Sequence, residues 1–419
     1  MLAEFIKNTP ERSQSVNSWL IIAVPFTIPI STSATEILLV CIVVCWLLSG
    51  QIRQTLSLLK SNRVVQLAIA LFGILALSSL WSTADTGLTL KFLAKYRMLL
   101  YVPIYFTVFE QSDIRRKGQR TFCAAMALTL ICSYLNCFAG FDIGRDDLLP
   151  ATVFRDRITQ NILLSLFIYF LAVEFVHQHK YRWLMAVFIV AGLFNIVAMS
   201  SGRSGYLVIT TLACLLGIQK FRIRGLAIAG ASLVAIGIIA YGTSSVFQDR
   251  VHQTVTGIQN FARGDSNPYG QYRLRLYAEG VNRLKASPLI GTGIGSWGTE
   301  LSRSIPEDSP FFWDDPHNEY IAMGIHAGAL GLMTFLALLG HLWKNTKQLT
   351  THDRQLASGC LATICIGCLV NSLLMAFSFG HLFAYWAAQW HANESEDEAI
   401  IEALPAEEDA LSVEIRQAA

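Results

Sequence analysis

The stretch GLAIAGASLVAIGIIAY, residues 225–241, runs for seventeen residues without a charge. As a helix rising about 1.5 Å per residue it comes close to spanning the roughly 30 Å hydrocarbon core of a bilayer. Lys220, Arg222 and Arg224 stand just before it, and a mixed polar segment, 242–318, follows it. A charge-free run with basic residues at one end and a polar segment at the other reads as a membrane helix.

Working outward, comparable apolar runs fall near 18–32, 34–50, 64–81, 98–110, 121–139, 159–177, 183–200, 204–219, 319–342, 355–377 and 380–391. The pattern implies an all-α polytopic membrane protein with about twelve transmembrane helices. The runs at 98–110 and 380–391 are too short to span without borrowing flanking residues or breaking. Composition agrees, since 53% of the 419 residues are hydrophobic and only 15% are charged. The net charge of +2 leaves no nucleic-acid footprint. All nine cysteines lie in or beside apolar runs, which argues against disulfides and against a cysteine metal site. The first apolar run has no small-residue cleavage site after it and reads as a retained helix.

Basic clusters set an orientation. Arg53/Lys60/Arg63, Arg115/Arg116/Lys117/Arg120, Lys180/Arg182, Lys220/Arg222/Arg224 and Lys344/Lys347/Arg354 all fall between even and odd runs. With positive charge inside, both termini are cytoplasmic, and 82–97, 140–158, 201–203 and 242–318 face the other compartment, the periplasm of a bacterial inner membrane. The chain divides into an N-terminal bundle (1–241), a periplasmic loop (242–318), C-terminal membrane helices (319–391) and an acidic, disordered cytoplasmic tail (392–419).

Arginines and lysines on the outer side run against the charge bias and so call for another explanation: Lys95, Arg97, Arg157, Arg203 and Arg273. Arg203 lies in Ser200-Ser201-Gly202-Arg203-Ser204-Gly205, where a helix begins and free backbone N–H groups join a guanidinium. Its plainer role is to reach lipid headgroup phosphates. Arg155 competes with Arg157 for the same outer position. Residues 271–285 have the period of an amphipathic helix, with Leu274, Tyr277, Val281 and Leu284 on one face, Arg275, Glu279 and Arg283 on another, and Arg273 bordering the apolar face. Pro288 through Gly295 is glycine-rich without the spacing of a dinucleotide fingerprint.

His317, in Trp313-Asp314-Asp315-Pro316-His317-Asn318-Glu319-Tyr320, ends the polar segment just before a membrane helix. There it is either a helix-terminus anchor or a proton carrier within reach of a lipid-borne and a polar substrate. Asp314 and Asp315 raise a competing reading, a divalent metal shared with His317, although adjacent aspartates before proline more often form a turn or cap. Asp146 and Asp147 read as a solvated turn, His252 lacks a flanking motif, and His326 reads as a packing residue.

Four features in order resemble the superfamily of O-antigen ligases, Wzy-type O-antigen polymerases and protein O-oligosaccharyltransferases: Ser201-Gly202-Arg203-Ser204-Gly205, Arg273-Leu274 with Tyr277, Pro288 through Gly295, and His317-Asn318-Glu319-Tyr320. Two departures are the glycine before Arg203 and Tyr277 where relatives carry tryptophan. The resemblance implies a GT-C-like glycosyltransferase, and among its members an O-antigen ligase, since there is one large outer loop and no second folded outer domain. It implies an undecaprenyl-pyrophosphate-linked polysaccharide donor and a lipid A-core acceptor, with membrane lipids around them and no metal or other cofactor. His317 is then the general base. Arg203 and Arg273, helped by Arg157, Lys95, Arg97 and Tyr277, bind the donor. A lipid transporter is the rival class, disfavoured because no internal repeat is evident and the candidate groups gather at one face.

Overall fold

A computed structural model describes residues 2–109, 112–141, 143, 150–200, 202–264, 272–309 and 312–391. Ser201, Asp146, Asp147 and the acidic segment 392–419 lie outside the described residues. All regular structure among the described residues is helical. The N-terminal part comprises α1 (Leu2–Ile30), α2 (Thr32–Leu48), α3 (Ile52–Ser61), α4 (Arg63–Ser78), α5 (Thr86–Lys95), α6 (Val102–Phe109) and α7 (Ser112–Ala139). Then come α8 (Arg157–His177), α9 (Arg182–Phe194), α10 (Arg203–Phe221), α11 (Ile223–Thr243) and α12 (Ser245–Arg263). The chain continues through α13 (Tyr272–Ala286), the short α14 (Trp297–Ser302), α15 (Glu319–Asn345), α16 (Thr351–Val370) and α17 (Phe377–Gln389).

Nine helical stretches among the described residues are long and apolar enough to cross a membrane, and a tenth arises if α2 and α3, bent by 97°, form one span. The expectation of about twelve adds two further segments. These are the C-terminal part of α1 and the 13-residue α17, neither of which qualifies as a span on its own. α8 is central, with α7, α9, α10 and α16 packed around it, and its side chains from Thr159 to Phe170 are buried without interruption. A helix apolar and buried all round belongs in the middle of a bundle.

The expected amphipathic helix is present as α13, but its inward face differs from the expected one. Leu276 and Gly280 are buried, whereas Val281 is 43% exposed. A Cβ on Gly280 would meet Ile321 Cγ2 at 2.5 Å, so the absent side chain lets α13 lie against α15. At 100° per residue, Arg273, Leu276, Tyr277, Gly280 and Leu284 then share one face. Arg273 therefore stands within the inward face instead of bordering it.

The glycine-rich run is a brace. α15 is interrupted where Ala327 (φ −144°) and Gly328 (φ +62°) leave helical geometry. Such a break frees backbone groups that lipid cannot satisfy. Here the preceding loop satisfies them: Thr292 N–H donates to the Ile325 carbonyl and Ala329 N–H donates to the Pro288 carbonyl, both at 2.8 Å. The loop is wedged on its other side against the turn after α4, where Ser82 Oγ donates to the Ile294 carbonyl at 2.8 Å.

Gly293 has φ +95°, and a Cβ there would lie 2.2 Å from Ser82 Cα. Gly293→Ala is therefore expected to destabilise the detergent-purified protein by about 1–3 kcal/mol or more. Gly230→Ala, in helix α11 with open space around it, should be neutral or slightly stabilising. Thermal unfolding of the two variants checks this, and equal melting temperatures would contradict the wedge.

Candidate active site

His317 takes a left-handed backbone conformation, φ +52°, uncommon for a residue with a side chain. Asp315 holds it there, its Oδ1 accepting the His317 N–H at 2.9 Å and its Oδ2 lying 3.6 Å from Nδ1. Ser372 donates its hydroxyl to the same Oδ1 at 2.5 Å. Asn318 caps α15 by accepting the Ile321 N–H at 3.0 Å, while its Nδ2 donates to the Leu369 carbonyl at 2.9 Å. The buried Glu319 carboxyl accepts from the Tyr96 hydroxyl at 2.8 Å and the Leu374 N–H at 2.9 Å. Asp315, Asn318 and Glu319 are thus tied to the last turn of α16 and the loop after it, and His317 is held between them through its backbone N–H.

The other ring nitrogen, Nε2, is buried and has no hydrogen-bond partner. An unpartnered buried nitrogen on a ring whose Nδ1 faces a carboxylate suits taking a proton from a group that enters the site. Burial holds the His317 imidazole below the ordinary value of 6.5; Arg273 pushes the same way and Asp315 opposes both. The ring is consequently neutral, and able to take a proton, at neutral pH.

Arg273 reaches from α13 into the same region. Its Nη2 donates to Asn371 Oδ1 at 3.3 Å, and Asn371 Nδ2 donates to Ser204 Oγ at 3.1 Å, which ties it to the start of α10. Arg203, the first residue of α10, feels the charges of Arg273, Arg250 and Arg157. The N-cap of α10, Gly202, offers no side-chain cap, so the positive helix end adds to the guanidinium groups. Glycine at 202 and 205 is dictated by Asn161 of α8, whose atoms lie 2.2 Å and 2.7 Å from where their Cβ atoms would be. This close packing sets Arg203 beside the N-terminus of α8, where Arg157 stands.

Arg155 and Arg157 part company: Arg155 is buried and donates Nε to the Ile28 carbonyl at 3.0 Å, whereas Arg157 is exposed and within the field of Arg203 and Arg250. Lys95 lies in the field of Asp315, Glu319 and Asp314. Arg97 is not brought to the cluster; it pairs with Glu36 and donates to the Ala94 carbonyl at 3.0 Å. The Tyr277 hydroxyl lies 3.1 Å from the His317 and Leu369 carbonyls, so it acts as a strut beneath the histidine.

Sequence reasoning missed Arg250, Asn371 and Ser372. Arg250 lies in a helix full of polar residues and carries no local signal. Burial and its repulsion from Arg157 hold its guanidinium below the usual arginine value. Asn371 and Ser372 interrupt an apolar run in adjacent positions, which was a readable sign of a helix end. Among the described residues no group of three or more His, Cys, Asp and Glu side chains is arranged to hold a metal ion.

Residues 186–336 match the family model for the O-antigen ligase domain, Wzy_C. Arg203, Arg250, Arg273, Tyr277 and His317 fall inside that segment; Lys95, Arg157 and Asn371 fall outside it. No curated protein matches the chain.

Titration of the His317 ring, followed by NMR of histidine-labelled protein and assigned with His317→Ala, is expected to have its midpoint below 6.5. Because the Asp315 charge raises that value, Asp315→Asn should move the midpoint lower still. A midpoint above 6.5, or an upward move in Asp315→Asn, would contradict the electrostatic account.

Proposed function

We propose that the chain, whose residues 186–336 match the O-antigen ligase domain model, is an O-antigen ligase. In this reading it transfers O-antigen polysaccharide from undecaprenyl pyrophosphate to a sugar hydroxyl of lipid A-core, at the periplasmic face of a bacterial inner membrane. The observation that carries it is Arg273, which neighbours both the unpartnered His317 and the arginine cluster.

An apolar groove supports the lipid-linked donor. A cavity of about 490 Å³ between α8, α10 and α11 is lined by residues including Tyr206, Ala213, Leu216, Ala229, Ile236 and Phe247. Tyr206 is one turn beyond Arg203, and Phe247 is three residues before Arg250. A polyprenyl chain lying in this groove would bring its pyrophosphate to the guanidinium groups, which suit phosphate oxygens through paired, charge-assisted hydrogen bonds.

The donor is already activated, so the protein's work is to orient two reactants and to stabilise charge on the leaving group. The acceptor oxygen attacks the anomeric carbon as its proton passes to His317 Nε2. The bond from that carbon to the phosphate oxygen breaks, and its electron pair leaves with the pyrophosphate toward Arg203 and Arg273, with Arg157 and Arg250 adding to the field. One direct displacement inverts the anomeric centre. Lys95 lies in the field of the carboxylates beside the base, Tyr277 holds the His317 carbonyl, and Arg97, paired with Glu36, has no part in the reaction.

Complementation of a gene deletion tests the reading. The wild-type gene should restore polymer on lipopolysaccharide. His317→Ala, at equal membrane abundance, should lose about 10²–10⁴-fold of transfer and accumulate undecaprenyl-linked chains. Near-normal ligation by His317→Ala would remove its role as base. Retained attachment of single repeats would instead identify a polymerase, and loss of sugar from periplasmic proteins an oligosaccharyltransferase.

A further inference from the structure

Beside His317 stands an aromatic pair that the transfer chemistry leaves unexplained. Trp313 is 45% exposed in the loop that leads into α15. Its ring stacks on Tyr272, with centroids 5.3 Å apart and planes 25° from parallel. Both members are fixed from behind. The Tyr272 hydroxyl accepts from Arg273 Nε at 3.1 Å, and the Trp313 carbonyl accepts from Trp297 Nε1 at 2.7 Å. The His317 ring lies 5.5 Å from the Trp313 ring and 6.0 Å from Tyr272.

We propose that Trp313, backed by Tyr272, is the platform on which the acceptor sugar ring stacks while its hydroxyl meets His317. This rests on the transferase reading and adds a binding subsite to it. A pyranose has a face of C–H groups carrying slight positive charge, and the negative face of an aromatic ring attracts it. A rigid ring offers that surface with little entropy to lose on binding. The hydroxyls at the edge of such a sugar would meet the polar groups at the platform's edge, the exposed Asp314 and, near it, Lys95. Sites that orient small polar ligands combine apolar rings with a few such groups.

The geometry selects the acceptor over the donor sugar. Tyr272 is the ring that touches Arg273, and Trp313 is the ring stacked on it, one step further from the phosphate-binding side. In an inverting displacement the acceptor approaches from the side opposite the leaving group. An interfacial tryptophan anchored in lipid headgroups is the other use of an exposed indole. It requires neither a stacked partner nor a base at 5.5 Å.

Two measurements on the full chain in detergent test this. The first is saturation-transfer NMR with delipidated core oligosaccharide as the probe, which needs no turnover. Wild type and His317→Ala should transfer saturation to sugar C–H protons, Trp313→Ala should not, and Trp313→Phe should restore most of the signal. The second is steady-state kinetics. Trp313→Ala should raise KM for the acceptor by about tenfold and leave donor KM within about twofold. Equal saturation transfer in Trp313→Ala, no transfer in wild type, or a rise confined to donor KM would overturn the proposal. So would parallel losses toward both substrates, which mark a membrane anchor. Failure of the ligase reading appears separately, as transfer surviving in His317→Ala.

Discussion

Like charges repel, and this fold gathers guanidinium groups at one end of a bundle where neighbouring apolar helices reduce the screening that water supplies. Arg157 begins α8, Arg203 begins α10, Arg250 lies in α12 and Arg273 lies in α13, and these arginines sit in one another's fields. The repulsion is borne by contacts that have nothing to do with charge. Asn161 packs between the glycines that open α10, and Asn371 bridges Ser204 and Arg273. Crowded guanidinium groups of this kind are stabilised by whatever negative charge comes between them.

The same economy of backbone holds His317. The interrupted α15 would leave unsatisfied carbonyl and N–H groups in the bilayer, and the loop from Pro288 to Ile294 accepts and donates in their place. Its N-terminus is fixed through Asn318, Glu319 and Asp315 to the last turn of α16 and the loop that follows it. His317 is consequently set by two flanking non-helical segments. Its Nε2 is buried and has no hydrogen-bond partner, while its backbone N–H is held by Asp315.

Much of this was legible in the sequence. Apolar runs marked the membrane helices, and the search for basic residues on the disfavoured side selected Arg157, Arg203 and Arg273. It also selected Arg97, because charge bias alone cannot see Glu36 sixty-one positions away along the chain. The amphipathic helix was read at the right place but with its inward face centred on the wrong residues. A hydrophobicity pattern gives weight to Val281 and none to Gly280, whereas close packing against Ile321 depends on the missing side chain. Asn371 and Ser372 disappeared into an apolar run, and Arg250 into a polar helix. Their roles arise from tertiary proximity, which no local pattern encodes.

The stereochemistry of a single turnover tests the central claim most directly. Purified protein would be given an undecaprenyl-pyrophosphate-linked donor of known anomeric configuration and a lipid A-core acceptor, and the new linkage read by NMR alongside the released lipid. A direct displacement with His317 as base and the arginines on the leaving group gives the opposite anomeric configuration and free undecaprenyl pyrophosphate. Retained configuration, or transfer without release of the pyrophosphate, would contradict it.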